Sequence, residues 1–146
     1  MLTSLLLVGN ILLPATAAQP ATPPPSCPPS GMSREDLRKL KEAKFEIASA
    51  DERNALAMRL LGCLDDPDPL IRDGVVFEAL STWLRAKALS PAALLALDES
   101  LRKTLGGARD AQGFRLPFAA LALSEVARTD RVEPWYSDAA RASGRC

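Results

Sequence analysis

The sequence predicts an all-α fold of antiparallel helix pairs, with about five to six helices. Three observations support this prediction. After Gly31, leucine and alanine recur at helical spacing, and runs of β-branched residues are almost absent. No segment alternates between apolar and polar residues as a half-buried strand does. Capping residues, often followed by proline, precede the apolar stretches.

Residues that start or stop a helix set the predicted boundaries. Ser33 with Asp36 three residues later is typical of a capping box, in which each side chain accepts a hydrogen bond from the other residue's backbone amide. Pro69 and Pro91 each follow a capping aspartate or serine, and proline is favoured at the first helical position. The predicted helices cover residues 33–46, 49 or 51 to 64, 69–84, 90–105, 116–128 and 134–141.

Each predicted helix carries an apolar stripe, which we expect to be buried against its neighbours. The sixth and shortest helix contributes Trp135 and Tyr136. The predicted core residues of the other five are Leu37, Leu40, Phe45, Ala55, Leu56, Met58, Leu60, Leu61, Leu70, Ile71, Val75, Phe77, Leu80, Trp83, Leu84, Leu94, Leu97, Leu101, Leu105, Phe118, Leu121, Leu123 and Val126.

The N-terminal segment is typical of a secretory signal peptide, residues 1–18. An apolar run from Leu5 to Leu13 is too short to span a bilayer, and small residues after Pro14 offer a cleavage site after Ala17 or Ala18. No basic residue precedes the run, and a buried N-terminal helix is the alternative. We expect export to the periplasm or the extracellular space, with no membrane span after cleavage.

Residues 19–32 form a proline-rich linker, and residues 33–146 form the predicted helical domain. Export places the cysteines in an oxidising compartment. We therefore expect a disulfide between Cys27 in the linker and Cys63 at the end of the second helix. Cys146 is then left over.

The composition argues against several functions. Lys and Arg number 18 and Asp and Glu number 18, so no net charge attracts a nucleic acid, and aromatics at 5% leave few stacking surfaces. Histidine is absent, which removes the commonest general base and metal ligand. We identify no catalytic set, no cofactor and no metal site. The aspartate cluster 65, 66, 68 and 73 lacks EF-hand spacing and is better explained by helix capping.

The segment DDPDPLIRDGVVFEAL resembles the turn and second helix of a HEAT-type repeat. Residues 60–91 together with residues 113–135 resemble the uncharacterised bacterial domain-of-unknown-function family 2785. The likeness covers residues 33 to 137 and implies a HEAT-like α-solenoid fragment without a known activity. It also implies further helices, so we expect truncation or a frameshift near residues 137–143 and an uncovered apolar helix face suited to a protein partner or self-association.

Five charged residues are candidates for a binding site. One interpretation is that helix packing brings the basic residues near Asp73 to form an anion-binding groove. The alternative is that ion pairs hold the helix ends in register, which explains the same residues. The candidates are Arg72, Asp73, Arg115, Arg128 and Asp130.

Three functions remain open. The first is an exported binding or scaffold module, because helix pairs present extended surfaces and no catalytic set is visible. The second is the N-terminal part of an enzyme, with Asp73, Arg115 and Asp130 as contributors. The third is a truncated chain without a function.

Overall fold

The computed structural model describes residues 26–142, and within them every regular element is helical, which confirms the all-α prediction. The predicted signal peptide, residues 19–25 of the linker and Cys146 lie outside the described residues. The elements are α1 (Arg34–Glu42), α2 (Ala50–Leu60) with a 3-10 turn (Leu61–Cys63), α3 (Pro69–Ile71), a π-helical segment (Arg72–Phe77), α4 (Glu78–Arg85), α5 (Pro91–Leu105), α6 (Arg115–Val132) and α7 (Asp138–Ala142).

Side-chain caps start four of these helices where the sequence predicted them. Ser33 and Asp36 form the capping box of α1, with Asp36 Oδ2 accepting from the Ser33 amide at 2.8 Å. Ser49, Asp68 and Ser90 each accept a backbone amide hydrogen bond from the first turn of the helix that follows. Each cap satisfies an amide that has no partner within its helix.

Helix α1 ends at Glu42, four residues before the predicted boundary. Lys44 and Phe45 adopt left-handed backbone conformations, with φ of 52° and 63°. Such conformations are unfavourable for residues other than glycine. Here the turn buries the Phe45 side chain and lets its carbonyl accept a hydrogen bond from Trp83 Nε1 at 2.9 Å.

Residues 69–85 form one continuous helix, composed of α3, the π-helical segment and α4. Such wide turns are uncommon and shift all following side chains around the helix. Leu70, one of the predicted core residues, is 44% exposed. That prediction was wrong, because Ile71 rather than Leu70 faces the core in the first turn.

The helices run in alternating directions in two layers. Helix α1 lies beside the π-helical segment, α4 packs on α6, and α2 packs on α5. Helix α1, the helix of residues 69–85 and α6 run in the same direction. The starts of the first two lie close together, because Arg34 donates to Asp66. The ends of the last two lie close together, because Lys87 donates to Glu133. Helices α2 and α5 run the other way and likewise meet near their starts, where the Ser90 amide donates to Asn54 Oδ1 at 3.1 Å.

The core fills the space between the two layers. Leu37, Leu60, Val75, Leu97 and Val126 are each no more than 1% exposed. The predicted stripes of all five longer helices therefore contribute to it. Ala55 is an exception because it is exposed, and so is Leu121, which is 46% exposed on α6. These two predictions were also wrong.

Cys27 and Cys63 form a disulfide with 4.8 Å between their Cα atoms, as the sequence predicted. The disulfide covalently joins the linker to the 3-10 turn that follows α2. Nearby, Pro29 is fully buried and Met32 packs against the core. Residues 26–32 therefore lie on the domain surface beside α2.

Among residues 26–142, none of the helices is long and apolar enough to cross a membrane.

Candidate functional site

Arg72, one of the five predicted binding residues, is buried between two helix starts. Its guanidinium carbon lies 3.9 Å from the centroid of the Phe114 ring and 5.0 Å from that of Phe118. Nη1 donates to the Asp66 carbonyl at 3.0 Å, and Nε donates to Asp73 Oδ1 at 2.7 Å. These contacts join residues 69–85 to α6 and fix the guanidinium on all sides.

Asp73 and Arg115 lie at the same end of the molecule as Arg72, and both are ion-paired. Asp73 is held by Arg72, and Arg115 pairs with Asp65. Asp110 orders the same region, because its carboxylate accepts from the Phe114 and Arg115 amides at 3.0 and 2.9 Å. These amide hydrogen bonds outweigh partial burial and lower the pKa of Asp110.

Arg128 and Asp130 lie at the opposite end of α6. Arg128 pairs with Glu125 at 3.0 Å. Asp130 is 5% exposed; Oδ1 accepts from the amides of Trp135 and Tyr136 at 2.8 and 2.9 Å and from Arg141 Nη2 at 3.0 Å. The hydrogen bond from Arg141 is the main cause of a pKa lowered to about 2.

The five candidates therefore fall into two groups, one at each end of α6. Residues 115 and 128 are 13 positions apart on one helix, which corresponds to about 20 Å. Every one of the five has a charged partner within the chain. The geometry favours the ion-pair explanation that the sequence left open.

An apolar cavity of about 380 Å³ lies between the end of α4, the start of α5 and the end of α6. This volume falls within the range of small-molecule sites, about 300–1,000 Å³. Both tryptophans of the chain are among the residues that line it. The lining residues are Trp83, Leu84, Lys87, Leu89, Pro91, Leu94, Thr129, Glu133, Pro134 and Trp135.

The buried polar atoms of the cavity wall already have partners. Thr129 Oγ1 donates to the Val126 carbonyl at 2.6 Å and accepts from Trp135 Nε1 at 2.9 Å. Trp83 Nε1 donates to the carbonyl of Phe45. A molecule inside the cavity would therefore meet aromatic and leucine side chains, together with the charged groups of Lys87 and Glu133.

Lys87 and Glu133 stand at the mouth of the cavity. Lys87 Nζ lies 2.9 Å from Glu133 Oε2, and the two side chains are 56% and 70% exposed. The hydrogen bond from Lys87 lowers the pKa of the Glu133 carboxyl. Lys87 has a left-handed backbone, with φ of 54°, at the end of α4. The adjacent Ala88 amide donates to the Trp83 carbonyl at 2.9 Å, which closes the helix end.

Asp130 holds one wall of the cavity in place. The segment Glu133–Pro134–Trp135 follows α6 directly, and the Asp130 carboxylate accepts a hydrogen bond from the amide of Trp135. The Trp135 ring also stacks on Tyr136, with 4.0 Å between ring centroids. Burial and the nearby Asp98 carboxylate raise the pKa of Tyr136 to about 12, so its phenol stays neutral.

The sequence matches no family model, and neither a curated protein nor a solved structure matches it. Within the described residues, histidine, cysteine, aspartate and glutamate form no group of three or more that would hold a metal ion.

Sequence reasoning did not identify this cavity. It placed Trp83, Leu84 and Leu94 in the core, where all three are indeed buried. It placed Trp135 in the short sixth helix, whereas Trp135 lies in the turn before α7. Pro134 and Trp135 follow the charged end of a helix, which is a local signal for a turn there. The size of the space between three helices depends on tertiary packing, which no local pattern predicts.

Proposed function

We propose that the chain is an exported binding module built from HEAT-like helix pairs, and that the apolar cavity binds a small, largely apolar ligand. Under this proposal the resemblance to family 2785 supplies the architecture, and the predicted signal peptide supplies the location. The proposal also keeps the first of the three functions that the sequence leaves open.

The observation that carries the proposal is the cavity itself. A cavity of about 150 Å³ lined by aliphatic and aromatic side chains binds benzene in a well-studied engineered protein. The present cavity is more than twice that size and has two tryptophans in its wall. A fused aromatic ring system or a medium-length alkyl chain would fit within this volume.

The polar residues around the cavity support binding rather than chemistry. Thr129 uses its hydroxyl within α6, and Lys87 and Glu133 neutralise each other at the mouth. A nucleophile or general base needs a side chain free to reach a bound substrate. Asp73, Arg115 and Asp130, the residues suggested for an enzyme, lie outside the cavity lining, and each is ion-paired within the chain.

The test uses N-phenyl-1-naphthylamine, an uncharged apolar fluorophore whose emission rises in an apolar environment. We expect the purified chain, with its disulfide intact, to bind one equivalent and to enhance this emission. Because Trp83 and Trp135 line the cavity, their own emission should fall as energy passes to the probe.

Two neighbouring leucines of α5 provide a matched pair of variants. Leu94→Trp places a large ring into the cavity from a residue that is 8% exposed, and should abolish probe binding. Leu95→Trp adds the same ring at a residue that is 46% exposed and lies outside the cavity lining, and should leave binding unchanged. Far-UV circular dichroism confirms that both variants fold. Equal binding by both variants, or none by the parent chain, would overturn the proposal.

A further inference from the structure

We propose that the ion pair between Lys87 and Glu133 makes the cavity selective for uncharged ligands, so that its natural occupant is a small, neutral, largely apolar molecule. This inference rests on the proposed function and concerns the ligand class that the same site accepts. It assigns Lys87 and Glu133 as specificity-determining residues.

The cavity wall offers few free hydrogen-bonding atoms. Thr129 Oγ1, Trp83 Nε1 and Trp135 Nε1 are all engaged in hydrogen bonds within the protein. A polar group carried into the cavity would lose its water and find none of these three atoms free. Sugars, nucleotides and other ligands rich in hydroxyl or phosphate groups are therefore disfavoured.

The mouth of the cavity carries two opposite charges close together. A carboxylate that approaches Lys87 must also approach Glu133, because the two charged groups are 2.9 Å apart. An ammonium group that approaches Glu133 meets Lys87 in the same way. In either case a charged ligand must break the ion pair or accept repulsion from the like charge.

Further charged residues lie near the mouth of the cavity. Arg85 and Arg128 lie on the outer side of the same helix ends, and both pair with Glu125, at 3.1 and 3.0 Å. One carboxylate therefore neutralises one of these two positive charges, and neither arginine lines the cavity. At the lining itself, a neutral ligand leaves the pair between Lys87 and Glu133 intact, whereas a charged group competes with it.

The test compares three ligands with the same ten-carbon chain: 1-decanol, decanoate and decylamine at pH 7.5. Each displaces N-phenyl-1-naphthylamine from the purified chain, and the emission of the two tryptophans provides a second readout. We expect decanol to bind about two- to fivefold more tightly than either charged ligand, the range typical of an exposed ion pair.

Two variants should change the relative affinities of the charged ligands, one in favour of the amine and the other in favour of the carboxylate. Lys87→Met leaves Glu133 without its partner, so decylamine should gain affinity relative to decanol. Glu133→Gln frees Lys87, so decanoate should gain instead. Both side chains are more than half exposed, and circular dichroism checks that the variants fold.

The outcomes separate this inference from the proposed function. If all three ligands bind equally to the parent chain and to both variants, the cavity is a binding site but the ion pair does not set its selectivity. Tighter binding of decanoate or of decylamine by the parent chain also overturns the inference. If no ligand and no probe binds, the proposed function fails as well.

Discussion

Asp130 shows how one side chain shapes the region around the cavity. Its carboxylate is buried and binds two backbone amides and Arg141, and the captured segment forms the cavity wall. The sequence offered two explanations for Asp130, a binding residue or an ion pair. Its partners lie 5, 6 and 11 residues further along the chain, in the turn after α6 and in α7, and local patterns do not define their positions.

Asp130→Asn should lower the free energy of unfolding by about 2 kcal/mol at pH 7, because Arg141 and the two backbone amides lose the buried carboxylate that accepts their hydrogen bonds. Because the pKa of the folded state, about 2, lies below the ordinary value of 3.8, this contribution is complete above about pH 5. It is lost as the pH falls towards 2. The gap between the parent and the variant in urea unfolding should therefore close between pH 5 and pH 2.

Asp138 provides the control for this measurement. It pairs with the same Arg141 at 3.6 Å, but its side chain is fully exposed. Asp138→Asn should leave stability nearly unchanged at every pH. Equal effects of the two substitutions would mean that burial of Asp130 contributes little.

At the scale of helices, the sequence predicted starts better than ends. Ser33, Ser49 and Ser90 act through amides within three residues, so a local pattern suffices to identify them. The end of α1 depends on Phe45, whose left-handed backbone is compensated by burial and by a hydrogen bond from Trp83, 38 residues away. Without a glycine at this turn, nothing local predicts it.

The disulfide stabilises the connection between the linker and α2. It joins residues 36 positions apart, for which loop entropy predicts a contribution of about 4 kcal/mol. In a Cys146→Ser background, Cys27→Ser should therefore lower the free energy of unfolding by roughly this amount, measured by guanidinium titration with circular dichroism.

The Cys146→Ser chain alone serves as the reference. It should match the parent in stability, and thiol titration of it should detect no free cysteine, since Cys27 and Cys63 are bonded to each other. Two free thiols in the reference chain would contradict the pairing.

At the scale of the whole molecule, the alternating helix directions produce the cavity. Helices α4 and α6 end side by side, and α5 starts between them in the opposite layer, so three helix termini surround one space. The sequence predicts that the domain is helical, because periodicity is a local property. It does not predict how closely three termini approach, because that distance depends on side chains from all three helices.

Export is the prediction that concerns the entire chain. When expressed in bacterial cells with a secretory pathway, the full-length chain should be recovered outside the cytoplasm with Ala18 or Gln19 as its first residue, by N-terminal sequencing and cell fractionation. Leu6→Arg, which interrupts the apolar run, should retain the uncleaved chain in the cytoplasm. An uncleaved parent chain beginning at Met1 would contradict the signal peptide.

The position of the two tryptophans has a consequence for studies of folding cooperativity. Trp83 and Trp135 both border the cavity, so tryptophan emission follows the packing of α4, α5 and the turn after α6. Circular dichroism averages over every helix, including α1 and α2 beside the disulfide. Coincident transitions by the two methods would show that the molecule unfolds as one unit, whereas an earlier fluorescence transition would show that the cavity region opens by itself.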